Sequence, residues 1–83
     1  MDKKVTLFSS ASCIYCLEAK KWLAKEGIPY STKDLRVPEN RLEFERYNMH
    51  GIPLLIVQNN SGEVVELMSG FHPIKYMEML KPS

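Results

Sequence analysis

The order of predicted elements in the first 34 residues constrains the fold more than any other feature of this chain. A short run of β-branched and aromatic residues, Lys4–Ser9, is typical of a strand, and small residues follow it. A segment with helical periodicity then begins at Cys13 and stops at Gly27, a residue type that commonly ends a helix. Residues 30–34 predict a second strand. A strand, a helix and a strand within about 30 residues form a βαβ unit, so we expect the two strands to be parallel.

The helix of this unit has a predicted cap and a predicted buried face. Ser12 stands directly before the first helical residue, and serine is among the preferred N-cap residues. We expect the face that packs on the sheet to carry the apolar positions of the segment, which form a rough helical stripe: Ile14, Leu17, Trp22, Leu23 and Ala24.

The second half of the chain predicts a helix, a hairpin and a last helix. Pro38 is well placed to begin a helix with a weak apolar stripe. Residues 54–57 are apolar without alternation, which predicts a buried central strand, and a clear turn joins them to a strand at 64–68. The last helix is predicted from Pro73 to about Leu80, and its expected buried face consists of Ile74, Met77 and Leu80.

These elements together predict an α/β domain in the order β-α-β-α-β-β-α, with a four-stranded mixed sheet and three helices. A length of 83 residues predicts a single domain, 1–83. The net charge of +1 gives no field that would attract nucleic acid or an anionic membrane. The first residues lack the apolar core of a secretory signal, and no stretch approaches the ~20 apolar residues of a membrane span. We therefore expect a cytoplasmic monomer that binds neither nucleic acid nor membrane.

The two cysteines, Cys13 and Cys16, are the main candidates for chemistry. In the cytoplasm a structural disulfide is kept reduced, so a C-x-x-C pair is expected to be catalytic or metal-binding. A helix N-terminus favours a thiolate, which is the attacking form of cysteine. Cys13 lies at the predicted helix start and is assigned as the nucleophile. Cys16 lies one turn later, is expected to be more buried, and is assigned as the resolving thiol.

Two alternatives to a redox dithiol remain open at this point. The pair could supply half of a zinc site, but His50 and His72 are 22 residues apart and form no H-x₃₋₅-H pair. The cysteines could also be ordinary core residues. The start of a helix and the βαβ context favour the redox interpretation, so no metal ligand is predicted.

Beyond the dithiol itself, the sequence resembles the glutaredoxin branch of the thioredoxin superfamily over nearly its whole length. The resemblance is carried by Cys13-Ile14-Tyr15-Cys16, by Ile52-Pro53 before the third strand, and by Ser69-Gly70-Phe71 after the fourth. It implies the thioredoxin fold and a thiol–disulfide oxidoreductase that reduces protein or small-molecule disulfides, including glutathione mixed disulfides. It also implies that the bond between Ile52 and Pro53 is cis, which leaves the backbone of Ile52 free to pair with a substrate. No bound cofactor is expected.

The resemblance further implies a binding site around the dithiol, made of Tyr15, Ile52, Pro53, Gly70, Phe71 and His72. His72 is expected to lie near Cys13, where an imidazolium would stabilise the thiolate. The alternative is that His72 is an ordinary exposed loop residue.

Departures from the glutaredoxin pattern concern the electron source. Ser10 stands where glutathione-using members usually carry lysine, and Gly51 replaces a threonine before Ile52-Pro53. The stretch Ser69–Pro73 lacks the two acids that help to hold the glutathione amine, and resembles the small redoxins that reduce ribonucleotide reductase. Electrons are therefore expected from glutathione, bound weakly, or from thioredoxin reductase and NADPH. Protein substrates are expected, with ribonucleotide reductase among the candidates.

A function of another class is also compatible with the resemblance. Some glutaredoxins carry an iron–sulfur cluster in a dimer bridged through glutathione, with a cysteine in the position of Cys13 as ligand. The weakened glutathione site argues against this alternative. Anaerobic purification separates the two, because a cluster carrier is brown and a dithiol redoxin is colourless.

Overall fold

A computed structural model describes residues 3–80 of the chain. The predicted order of elements is confirmed, and the thioredoxin-like α/β fold with it. The four strands and three helices are β1 (Lys4–Ser9), α1 (Ile14–Lys25), β2 (Ser31–Asp34), α2 (Pro38–Glu45), β3 (Leu54–Gln58), β4 (Val64–Ser69) and α3 (Pro73–Leu80). The sequence placed the start of β2 one residue early, at Tyr30. Within residues 3–80, no helix is both long and apolar enough to cross a bilayer.

The sheet has the strand order β2-β1-β3-β4. β1 and β2 are parallel, as the βαβ unit requires, while β3 is antiparallel to both β1 and β4. The C-terminal ends of β1 and β4 lie beside the N-terminal end of β3, because Leu54 pairs with Phe8 on one side and with Ser69 on the other. The three loops after β1, before β3 and after β4 therefore lie at one end of the sheet, as does the loop after the parallel strand β2. The loop after β1 leads into the two cysteines.

The central strands are buried because helices cover both faces of the sheet. On one face α1 and α3 pack on alternate residues of β1 and β3, and the buried residues of this cluster are Val5, Leu7, Ala19, Leu23, Ile28, Leu55, Val57, Tyr76, Met79 and Leu80. On the other face Phe8, Leu54 and Ile56 form a smaller cluster. Phe44 and Tyr47, in and after α2, contact the Phe8 ring with centroids 5.8 and 5.9 Å away. The sheet thus forms a rigid base for the three loops.

The predicted buried face of α1 is only partly correct. Leu23 is buried and Trp22 packs against the core, as predicted. Ile14 and Leu17 are instead 71% and 51% exposed, and the fully buried residues of the helix are Cys16, Ala19 and Leu23. Positions 14 and 17 lie on a different side of the helix from 16, 19 and 23, because successive residues are rotated by about 100°. Apolar residues occur on both sides, so the periodicity could not select the correct one. Cys16 and Ala19 are the buried side chains that the predicted stripe omitted.

The face of α3 was predicted with a similar error. Ile74 and Met77 are exposed, whereas Tyr76, Met79 and Leu80 are buried. This helix is apolar on most of its circumference, so helical spacing alone does not decide which of two faces is buried. The observed orientation buries the large ring of Tyr76. It also allows the Tyr76 hydroxyl to donate a hydrogen bond to the loop before the helix.

Candidate active site

The dithiol lies where β1 passes into α1, at the end of the sheet from which the three loops leave. Cys13 is the N-cap residue of α1, with extended backbone angles of φ −94° and ψ 114°. Its Sγ accepts a hydrogen bond from the backbone N–H of Cys16 at 3.1 Å. The prediction that Ser12 caps the helix is wrong, because the Cys13 sulfur takes the first-turn amide. The Ser12 hydroxyl instead lies 3.4 Å from the hydroxyl of Ser10.

This geometry suits a thiolate at Cys13. The side chain is half-exposed, and the sulfur accepts the Cys16 N–H at the positive end of the helix dipole. The backbone N–H of Cys13 donates to the Ser10 carbonyl at 3.2 Å, which fixes the loop before the helix. Position and access are the two properties that a nucleophilic thiol requires.

Cys16 has the opposite environment. Its side chain is fully buried, and burial is the largest of the causes that together raise the pKa of the Cys16 thiol from 9.0 to about 11. A hydrogen bond with Cys13 and negative charge on Cys13 also raise this pKa, while the Ser10 backbone and the Lys20 ammonium group lower it. Both cysteines are free thiols. The pair therefore consists of one accessible sulfur and one that is buried and protonated.

The turn before β3 lies beside the dithiol loop. The Ile52–Pro53 peptide bond is cis, as the resemblance implied, and the Pro53 side chain is buried. Within residues 3–80 neither the N–H nor the C=O of Ile52 forms a hydrogen bond. The turn is instead held from β4, where the Ser69 hydroxyl donates to the carbonyls of His50 and Gly51 at 2.9 and 3.1 Å. The free backbone groups of Ile52 are therefore available to a bound chain.

The loop after β4 is attached to the same turn. The Gly70 N–H donates to the Pro53 carbonyl at 2.7 Å, and Gly70 adopts a φ of 90°, which favours glycine. Phe71 is half-buried against Tyr76. His72 is exposed, with its ring beside Gly70, and forms no hydrogen bond to either cysteine in the described chain. Stabilisation of a Cys13 thiolate by His72 stays a prediction.

Two site features were missed or only partly seen from sequence. Tyr76 was not singled out, yet its hydroxyl donates to the Gly70 carbonyl at 2.8 Å. A polar-tipped aromatic residue in the first half of the helix after the loop was the available signal. Tyr15 is 65% exposed between the two cysteines, so its ring is free to contact a partner. Across residues 3–80, no group of three or more His, Cys, Asp and Glu side chains is arranged to hold a metal ion.

Comparison with known proteins identifies the family. The sequence model of the glutaredoxin family matches residues 5–61, which is more than half of the chain. The chain belongs to the glutaredoxin family. As a glutaredoxin-like protein with two cysteines at the start of α1, it is a thiol–disulfide oxidoreductase. No protein among the curated sequences matches it significantly.

Solved structures with the same fold support the architecture of this glutaredoxin-like chain. NrdH-redoxin from Escherichia coli, a glutaredoxin-like protein, is 21% identical, with a TM-score of 0.77 over 96% of this chain and 97% of that one. Thioredoxin from Schistosoma mansoni is 21% identical, with a TM-score of 0.75 over 96% and 77%. A mutant thioredoxin from Halobacterium salinarum is 19% identical, with a TM-score of 0.78 over 96% and 73%. At these identities the likeness establishes the fold.

The glutaredoxin-like chain differs from the usual glutathione-binding pattern at positions that the structure brings to one end of the sheet. Ser10 precedes the dithiol, and its carbonyl is bonded to the Cys13 amide. The side chain at position 51 is absent, and a Cβ there would lie 3.4 Å from the Ser69 hydroxyl oxygen. No acidic side chain occurs between Ser69 and Pro73. The three positions at which the sequence departs from the usual glutaredoxin pattern therefore lie in neighbouring loops.

Proposed function

We propose that Cys13 is the nucleophile and Cys16 the resolving thiol in the reduction of protein and small-molecule disulfides, glutathione mixed disulfides included. The observation that carries the assignment is the difference between the two sulfurs. Cys13 Sγ is accessible and accepts an N–H bond at the helix start, whereas the Cys16 thiol is buried with a pKa of about 11. At neutral pH the second thiol is protonated and shielded, so it cannot make the first attack.

The proposed reaction has two steps. The Cys13 thiolate attacks one sulfur of the substrate disulfide, a mixed disulfide forms, and the other substrate sulfur leaves as a thiolate that takes a proton. Cys16 then loses its proton to solvent and attacks Cys13 Sγ, which releases the second substrate thiol. Two electrons pass from the dithiol to the substrate, and the protein is left with a Cys13–Cys16 disulfide.

The first step itself prepares Cys16 for the second. Two of the influences that raise the Cys16 pKa come from Cys13, namely its hydrogen bond and its negative charge. Both are lost when Cys13 is held in a mixed disulfide, while the nearby Lys20 ammonium continues to favour the Cys16 thiolate. Ionisation of the resolving thiol therefore becomes easier only after a substrate is bound.

We propose that thioredoxin reductase and NADPH supply the electrons more efficiently than glutathione does. Support comes from Ser10 in place of lysine and from the absence of acids in the loop after β4. The structurally similar Escherichia coli NrdH-redoxin is described as having a thioredoxin-like activity profile. The corresponding substrates are disulfide-containing proteins, with ribonucleotide reductase among the candidates. A cytoplasmic location and a monomeric state stay predictions.

A comparison of two recycling systems tests this proposal. One assay couples reduction of a model disulfide to glutathione and glutathione reductase, and the other couples it to thioredoxin reductase and NADPH. We expect the second system to be faster. Ser10→Lys restores a charged group at the glutathione site, and a charge-assisted hydrogen bond contributes about 1.5–3 kcal/mol, or roughly ten- to a hundredfold in affinity. Fast recycling of the unchanged protein by glutathione would contradict the proposed electron source.

A further inference from the structure

Tyr76 is a buried side chain that joins α3 to the loop after β4, near the dithiol. The residue is fully buried, yet it projects a polar group toward the end of the sheet where the three loops meet. We propose that Tyr76 is a positioning residue, which holds the loop at Gly70 and Phe71 beside Pro53 so that the cleft can accept an extended substrate. The inference rests on the proposed function, since it concerns the binding of a disulfide substrate to that cleft.

A chain of two hydrogen bonds carries the argument. The Tyr76 hydroxyl donates to the Gly70 carbonyl at 2.8 Å, and the Gly70 N–H donates to the Pro53 carbonyl at 2.7 Å. Both sides of the Gly70 residue are thereby fixed, one from the helix and one from the turn before β3. Gly70 has a φ of 90°, and glycine is otherwise the residue with the most backbone freedom. Two bonds at this residue therefore restrain the position of the loop with the greatest backbone freedom.

The ring of Tyr76 contributes a second restraint. Phe71 and Trp22 both contact it edge-on, with centroid distances of 5.4 and 5.8 Å and interplanar angles of 78°. Phe71 follows Gly70 directly, so the same tyrosine holds two successive loop residues. Aromatic pairs of this geometry contribute beyond simple burial of area.

The hydroxyl group remains a donor at every working pH. Burial, with a smaller contribution from negative charge at Cys16, raises the pKa of the Tyr76 phenol well above its ordinary value. The residue therefore does not act as an acid or a base in the reaction.

Tyr76→Phe is the informative variant, because it removes the hydroxyl and keeps the ring. Tyr30→Phe is a matched control: Tyr30 is half-buried against the same cluster, and its hydroxyl forms no hydrogen bond within residues 3–80. It precedes Ser31, which pairs with Thr6 in the parallel strands, and so lies at the end of the sheet away from the dithiol. Each variant loses one oxygen atom.

The assay is single-turnover reduction of a peptide closed by an internal disulfide, with prereduced protein and no electron donor. For Tyr76→Phe we expect the half-saturating peptide concentration to rise about three- to tenfold, the effect of one lost hydrogen bond. The limiting rate and the rate of Cys13 alkylation by iodoacetamide should stay within about twofold. Hydrogen exchange of the Gly70 amide should accelerate by a similar factor, while amides of β1 and β3 change less.

Three outcomes overturn the inference or the function. If Tyr76→Phe and Tyr30→Phe have equal half-saturating concentrations, Tyr76 does not position the cleft, and the proposed function stands. If Tyr76→Phe accelerates exchange at all core amides equally, the hydroxyl only stabilises the fold. If the unchanged protein fails to reduce the peptide, the proposed function itself is wrong. Exchange is measured at a temperature where circular dichroism shows both variants folded.

Discussion

The buried thiol of Cys16 makes the stability of the reduced protein depend on alkaline pH. The perturbation is a rise in pH from 8 to 11 under reducing conditions. In the folded protein the Cys16 pKa is raised to about 11, from the ordinary value of 9.0 that applies to the unfolded chain. The unfolded state therefore loses its proton first, and the folded state is left with more bound protons. Stability is complete below pH 9 and falls as the pH rises toward 11.

The size of the effect follows from the two pKa values. A rise from 9.0 to about 11 corresponds to about 3 kcal/mol of unfolding free energy in full. About 1 kcal/mol of this is lost between pH 9 and pH 10, where the unfolded thiol is largely ionised and the folded thiol is not.

Urea denaturation at half-unit steps of pH measures this loss. The unfolding free energy of the reduced protein is compared with that of Cys16→Ser, in which the buried group no longer titrates. Tyrosines also ionise in this range and are common to both proteins, although the pKa of Tyr76 responds to charge on Cys16. Cys13→Ser keeps the buried thiol but removes the two contributions of Cys13 to its pKa, so its curve should lie between those of the reduced protein and Cys16→Ser.

The pH dependence, and not the absolute stability, decides the outcome. We expect the curve of the reduced protein to fall about 1 kcal/mol more than that of Cys16→Ser between pH 9 and pH 10. Parallel curves for these two proteins would refute the reasoning, since they would mean that Cys16 ionises equally in the folded and unfolded states.

Two further predictions concern the loop after β4. Gly70→Ala forces a side chain into a φ of 90°, with its Cβ about 3.0 Å from the His72 ring, and should cost about 1–3 kcal/mol in urea unfolding; an unchanged midpoint would contradict the assigned backbone. Ser69→Ala removes the donor to the carbonyls of His50 and Gly51, and should lower the unfolding free energy by about 1 kcal/mol and raise the half-saturating peptide concentration. An unchanged half-saturating concentration would show that the turn before β3 is fixed without that hydroxyl.

The order of elements followed from the sequence because each boundary has a local cause. Small residues end β1, Gly27 follows α1, and prolines begin α2 and α3. The buried faces of α1 and α3 followed only in part, at Leu23 and Leu80, because those helices carry apolar residues on more than one side. Which side is buried depends on contacts that are distant in sequence, and periodicity contains no information about them.

Some features of the site also followed from the sequence, and others did not. The dithiol and its place at the helix start followed from residue types and spacing, and the cis bond followed from the family resemblance. The sequence predicted Ser12 as the N-cap because serine is favoured there on average and a thiol is rare. In the structure the Cys13 sulfur caps the helix instead. The bond from Tyr76 to Gly70 depends on how the last helix rotates onto the sheet, which no local pattern shows.

Trapping the reaction intermediate tests the central claim, which is that Cys13 attacks and Cys16 resolves. The reduced Cys16→Ser protein is mixed with the disulfide peptide, quenched in acid and mapped by mass spectrometry, with Cys13→Ser treated in parallel. We predict that Cys16→Ser accumulates a mixed disulfide between the peptide and Cys13, and that Cys13→Ser accumulates none on the same timescale. A mixed disulfide through Cys16 in the Cys13→Ser protein, formed as fast, would contradict the account.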